Sequence, residues 1–87
     1  MLEVTTIKDV KIKIGEAGKA LRKSNDLSRK DLAKVLDVSS TTIQNIEIGK
    51  NATLENVLKV ANHFGLLQSI AKQIDQITKN HDDISLY

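Results

Sequence analysis

No cysteine occurs anywhere in the 87 residues, so neither a disulfide framework nor a thiolate metal site can be built. Proline is absent too, and glycine is limited to Gly15, Gly18, Gly49 and Gly65. Helices can therefore run uninterrupted, with these four glycines as the main punctuation. No apolar stretch approaches the roughly 20 residues of a membrane span. The opening Met1-Leu2-Glu3-Val4-Thr5-Thr6 lacks the basic-then-apolar order of a secretory signal. The expected location is the cytoplasm.

Net charge is small, +2, but its distribution is uneven. Lys8, Lys11, Lys13, Lys19, Arg22, Lys23, Arg29, Lys30 and Lys34 crowd the first half of the chain. That pattern suits a polyanionic partner, although a solvated basic face explains any one such cluster as simply. With 40% hydrophobic and 28% charged residues, the chain falls among ordinary globular proteins rather than disordered tails. Its length gives room for one domain, which buries roughly 60% or more of its unfolded surface and is marginal alone. A dimer interface would help it.

Hydrophobic periodicity divides the chain into five helical segments. Ile7, Val10, Ile14, Ala17 and Leu21 recur at spacings of three and four, which predicts a helix over about residues 9–23 with Thr6 or Asp9 as its cap. Val10, Ile12 and Ile14 also alternate with lysines, the pattern of a short strand. Ser24-Asn25-Asp26 is turn chemistry, and Ser28 with Asp31 is a capping box opening a second helix that carries Leu32, Ala33, Val35 and Leu36. Ser39 caps a third helix through Glu47, with Ile43 and Ile46 inward and Gly49 just beyond. The β-branched Thr41, Thr42, Ile43, Ile46 and Ile48 favour a strand there, but the cap and the glycine decide for helix. Thr53 caps a fourth helix with Leu54, Val57, Leu58, Ala61 and Phe64, which Gly65 stops. A fifth segment shows Leu67, Ile70, Ala71, Ile74 and Ile77, before a polar tail. The expected organisation is an N-terminal arm over 1–8, a domain over 9–66, a C-terminal amphipathic helix over 67–79 and a tail over 80–87.

Between Arg29 and Ile48 two short helices meet across a three-residue turn. Leu32, Leu36, Val38, Ile43 and Ile46 form the apolar wedge, and small Ala33 sits where the helices come closest. The run from Leu27 to Leu36, then Val38-Ser39, Thr42 to Glu47 and Gly49-Lys50, resembles the phage repressor and Cro type of helix-turn-helix domain, the XRE family. The resemblance spans about residues 10–66, with the motif itself over about 28–48. It implies an all-α, five-helix, lambda-repressor-like DNA-binding domain. Two positions depart from the family pattern, which usually has Gly at Asp37 and Gln at Arg29. Aspartate tolerates left-handed geometry better than most residues, whereas Arg29 alters a position that in the family touches phosphate and braces the recognition helix.

The same resemblance implies an ion pair between Arg22 and Glu47 that fixes the first helix against the recognition helix. The alternative is two surface charges of little worth. In this type of docking the first turns of the recognition helix enter the major groove, which directs Ser40, Thr41, Gln44 and Asn45 to base edges. Asn and Gln each offer a donor and an acceptor to adenine, and a Thr methyl can touch a thymine methyl. Phosphate contacts are expected from Ser28, Arg29 and Lys30 at the start of the second helix, and from Thr42, Lys50 and Asn51 on the other flank. Lys8, Lys11 and Lys13 are weaker candidates. Leu67, Ile70, Ile74 and Ile77 serve equally as core or as a two-fold dimer contact. Dimerisation places two recognition helices on half-sites about 34 Å apart.

The expectation is therefore a homodimeric DNA-binding transcriptional regulator, a repressor of bacterial or phage origin acting at the nucleoid on a double-stranded operator. The resemblance equally admits an antitoxin that binds a toxin and represses its own operon, or a controller protein of a restriction-modification system. No enzyme is expected. His63 and His81 are the only imidazoles, and His81-Asp82-Asp83 completes neither a metal-ligand set nor a nucleophile and base pair. No metal and no cofactor are expected.

Overall fold

The computed structural model describes residues 5–82. They form five α-helices: α1 (Ile7–Ser24), α2 (Arg29–Leu36), α3 (Ser40–Glu47), α4 (Leu54–His63) and α5 (Leu67–Asp82). Among the described residues there is no strand, so the alternation of Val10, Ile12 and Ile14 with lysines belongs to a helix.

Four of the helix starts carry side-chain caps. The Thr6 hydroxyl accepts the Asp9 amide at 3.0 Å while the Asp9 carboxylate accepts the Thr6 amide at 3.1 Å, so α1 begins at Ile7. The arm expected over 1–8 is correspondingly shorter, and residues 1–4 lie outside the described residues. Ser28 and Asp31 form the same reciprocal pair at the start of α2. Ser39 accepts the Thr42 amide and Thr53 the Asn56 amide, capping α3 and α4. Each acceptor satisfies an amide that the first turn of a helix leaves without a backbone partner.

The turn between α2 and α3 rests on Asp37, which takes φ 56° and ψ 49° in the left-handed region. The Val38 amide then returns to the Ala33 carbonyl at 2.9 Å, closing α2 after eight residues and turning the chain into α3. Gly49 and Gly65 have positive φ after α3 and α4. Gly15 and Gly18, by contrast, do not punctuate the chain; both lie buried inside α1. A Cβ on Gly15 would stand 2.6 Å from the Glu47 carbonyl oxygen, and closer still to that of Ile46. The missing side chain lets α1 approach the end of α3.

Leu32, Ala33, Ile43, Ile46 and Val60 make the core, with Leu27, Leu36, Val38, Val57 and Phe64 packed partly buried around them. Thus α3 runs through the middle, with α1 and α2 both packed against it, while α4 touches α2 and α5. No residue of α5 with a described side chain is buried. Its stripe of Leu67, Ile70, Ile74 and Ile77 lies on the surface, which corrects the core reading of that stripe. No glycine or proline interrupts the helix before Asp82, so it runs into the stretch expected as a tail from residue 80. Residues 83–87 lie outside the described residues.

Candidate nucleic-acid interface

The position of α3 is set from its inner face. Ile43 and Ile46 bury there, and one turn on, Glu47 is only 7% exposed. Its carboxylate accepts from Arg22 twice, Nε to Oε2 at 2.6 Å and Nη2 to Oε1 at 3.1 Å. The remaining nitrogen of Arg22, Nη1, donates to the Leu27 carbonyl at 2.8 Å. One guanidinium thereby ties the end of α1, the turn into α2 and the end of α3. Such forked, charge-assisted bonds fix direction as well as distance.

Arg29 completes the arrangement, donating Nε to Oε1 of Glu47 at 3.0 Å. Burial opposes ionisation of Glu47, but the hydrogen bonds from Arg22 and then Arg29 outweigh it and hold the carboxyl below its ordinary range. The bond to Glu47 raises the Arg22 guanidinium above its ordinary value, against the opposing effect of burial. Two guanidiniums share one carboxylate, which leaves a surplus positive charge. Because the Arg29 side chain is partly exposed, that surplus sits near solvent at the start of α2. The resemblance implied a bracing role at the position of Arg29, but nothing in the spacing from Arg29 to Glu47 announces Glu47 as its partner.

The outer face of α3 has a different character. Ser40, Thr41 and Gln44 are exposed, while Thr42 and Asn45 are half-buried. Thr42 shares a 2.9 Å hydrogen bond with Ser39, so its hydroxyl is partly committed to the cap. Ser28, Lys30, Lys50 and Asn51 are exposed, but Ser28 is engaged in its capping box. The Lys11 ammonium donates to the Asn51 side-chain oxygen at 2.6 Å, which draws α1 to the loop before α4. Lys8 and Lys13 are exposed on α1. Thr42, Asn45 and Asn51 further line a cleft of about 200 Å³ together with Ala52, Thr53 and Asn56. Thr53 carries a sequence signal only as a cap and Asn56 carries none; the cleft brings them beside Thr42 and Asn45 where the first turn of α4 lies next to α3.

The helix pair, its left-handed turn and the braced, polar-faced α3 are the anatomy of a DNA-reading motif. The family model of the helix-turn-helix domain matches residues 19–67, more than half of the chain. The chain belongs to the XRE-type helix-turn-helix family. As a member of that family it is a DNA-binding regulator of transcription. In this helix-turn-helix protein the matched segment begins near the end of α1 and stops at the first residue of α5. No curated protein matches the chain. Among the described residues no helix is long and apolar enough to cross a membrane, and no three His, Asp or Glu side chains gather as a metal site. His63 is exposed and meets the Phe64 ring edge-on at 5.0 Å. The His81-Asp82-Asp83 side chains lie outside the described residues.

Proposed function

We propose that this protein is a repressor that occupies an operator as a homodimer and reads it with Ser40, Thr41, Gln44 and Asn45. The observation that carries the reading is the contrast across α3: its inner face is held by Glu47 between Arg22 and Arg29, while its outer face offers amide and hydroxyl groups. A helix fixed in direction loses little freedom on docking, so its contacts go into selectivity. Gln44 and Asn45 suit adenine, and each bidentate contact of this kind discriminates by roughly 1–3 kcal/mol. Arg29 contributes its outward guanidinium edge to a phosphate, joined by Lys30 and Ser28. Lys50, Asn51 and Thr42 hold the backbone on the opposite flank. Leu67, Ile70, Ile74 and Ile77, exposed on α5, form the contact between copies. Repression then follows from occupancy of the operator, with no bond made or broken.

Binding to the DNA upstream of the protein's own gene, measured against a scrambled duplex across a salt series, tests this. Wild type should prefer the upstream DNA, with affinity falling steeply as salt rises. Gln44→Ala with Asn45→Ala should abolish the preference while leaving weak, salt-sensitive binding to both duplexes. Equal binding of the two duplexes by wild type would overturn the reading of that DNA as the operator and direct attention to a protein partner, tested by pull-down with the neighbouring gene product.

A further inference from the structure

Two apolar surfaces of this chain remain uncovered, and they have opposite shapes. One is concave: a groove of about 180 Å³ where α1, α4 and the start of α5 meet, lined by Ile14, Ala17, Leu21, Val57, Phe64 and Ile70 among others. Its lining includes no charged side chain. The other is convex: Ile74 and Ile77 follow Ile70 on the same stripe of α5, 56% and 61% exposed. The chain's own α5 leans on α4 and reaches the groove at Ile70, so a single copy leaves the open side of the groove and the Ile74–Ile77 end of the stripe in water.

We propose that two copies of this chain exchange α5, Ile74 and Ile77 of each seating in the α1–α4 groove of the other. The inference rests on the dimeric part of the function proposed above and specifies the surface that receives the stripe. The accessible surface of 6977 Å² exceeds the roughly 5,100 Å² of a compact monomer of this mass. That excess is larger than the roughly 800 Å² one partner contributes to a standard interface. The radius of gyration, 15.5 Å, likewise stands above the roughly 12 Å of a compact chain of this length. A second copy is the occupant because each copy carries both halves of the contact, and making it twice about a two-fold axis leaves neither half open. α4 and α5 are joined through Gly65, whose φ of +74° is a backbone conformation that L side chains rarely adopt.

The absence of cysteine makes the test direct. One preparation carries Ala17→Cys and another Ile74→Cys; each is reduced, the two are mixed, and the mixture is oxidised. Exchange predicts a cross-linked species of two chains in the mixture, with much less in either preparation alone. Sedimentation without DNA should give twice the chain mass for wild type. Ile74→Lys with Ile77→Lys should give the single-chain mass with unchanged helical circular dichroism, since both positions are exposed. Cross-linking of Ile74→Cys with itself at the yield of the mixture would overturn exchange in favour of α5 packing on α5, with the homodimer still standing. A wild type that sediments as one chain at every concentration would overturn both the exchange and the homodimer. A cross-linked dimer that ignores its upstream DNA would sink the operator reading and leave the exchange supported.

Discussion

Helices α3 and α5 carry the same sequence signal, isoleucines spaced three and four apart, yet their environments are opposite. In α3, Ile43 is 1% exposed, enclosed in a core with Leu32 and Ala33 of α2 and Val60 of α4. In α5, which is twice as long, Ile74 and Ile77 face solvent. Periodicity reveals that a helix has an apolar face and says nothing about what covers it. The covering of α3 is assembled locally, by a capped helix before it, a left-handed turn at Asp37 and a glycine at position 15 that admits α1. For α5 no such set exists. Its connection to the rest is the turn at Gly65, and its packing within the chain is against α4.

The charged groups sharpen this contrast first, because their effect is the largest. Glu47→Ala removes the carboxylate on which two guanidiniums converge, leaving Arg22 buried without a counter-charge. The expected loss is about 3–5 kcal/mol, measured by urea unfolding, whereas Asp75→Ala on the exposed surface of α5 should stay within about 0.5 kcal/mol. The same carboxylate gives the pH dependence its sign. Its folded value lies below the ordinary 4.5, so the folded state binds fewer protons than the unfolded one between the two values. The stabilisation is fully present above about pH 4.5 and is lost as pH falls through the lowered folded value. Asp9 is lowered by its backbone bond to Thr6, and Asp31 by its side-chain bond to Ser28, so both act in the same direction. Unfolding at stepped pH should therefore show a steeper acid loss in wild type than in Glu47→Gln. Equal slopes would mean that Glu47 contributes nothing to it.

Apolar truncation comes next. Ile43→Ala should cost about 2–5 kcal/mol, through lost transfer energy and the cavity left behind. Ile77→Ala, in protein dilute enough to be monomeric, should change unfolding by less than about 0.5 kcal/mol. Comparable losses at the two positions would erase the distinction between the helices and show that α5 packs on its own chain in solution.

The difference also marks how far the sequence could be read. The five helices were legible because each has its own local signals: Thr6 with Asp9, Ser28 with Asp31, Ser39, Thr53, and positive-φ residues at the ends. The α2–α3 motif was legible because wedge and turn lie within about twenty residues of each other. The helix starts and ends shifted most where a cap competed with a looser polar stretch, at Ile7 and beyond Asn80. The resemblance supplied one contact between residues distant in sequence, Arg22 with Glu47; others could not be read. Lys11 with Asn51 and Arg29 with Glu47 depend on how α1 and α2 pack on α3, and no spacing rule links them. The roles of Gly15 and Gly18 were likewise hidden, since a glycine admitting a neighbouring helix and one ending its own helix look alike in sequence.

A smaller effect separates the two helices at their starts. Ser39 caps α3 by accepting the Thr42 amide at 3.0 Å, so Ser39→Ala should cost about 1 kcal/mol. Leu66, the residue just before α5, has no side-chain acceptor with which to cap it, and Leu66→Ala should leave helicity unchanged. Thermal unfolding followed at 222 nm distinguishes them. A Ser39→Ala protein as stable as wild type would mean that α3 is held by its packing alone.

A loss smaller than that at Ser39 is expected at Arg29, and it tests the division between the inner and outer faces of α3. Its side chain is partly exposed, so Arg29→Ala should lower stability by less than about 1 kcal/mol. Arg22→Ala, at the buried corner of the same carboxylate, should cost several times more. On DNA the order reverses. If the outward edge of Arg29 holds a phosphate, its removal should reduce the slope of log affinity against log salt by about 1, and weaken binding to specific and scrambled duplexes alike. An unchanged slope would make Arg29 a brace for Glu47 and nothing more, leaving Lys30 and Lys50 to carry the backbone contacts.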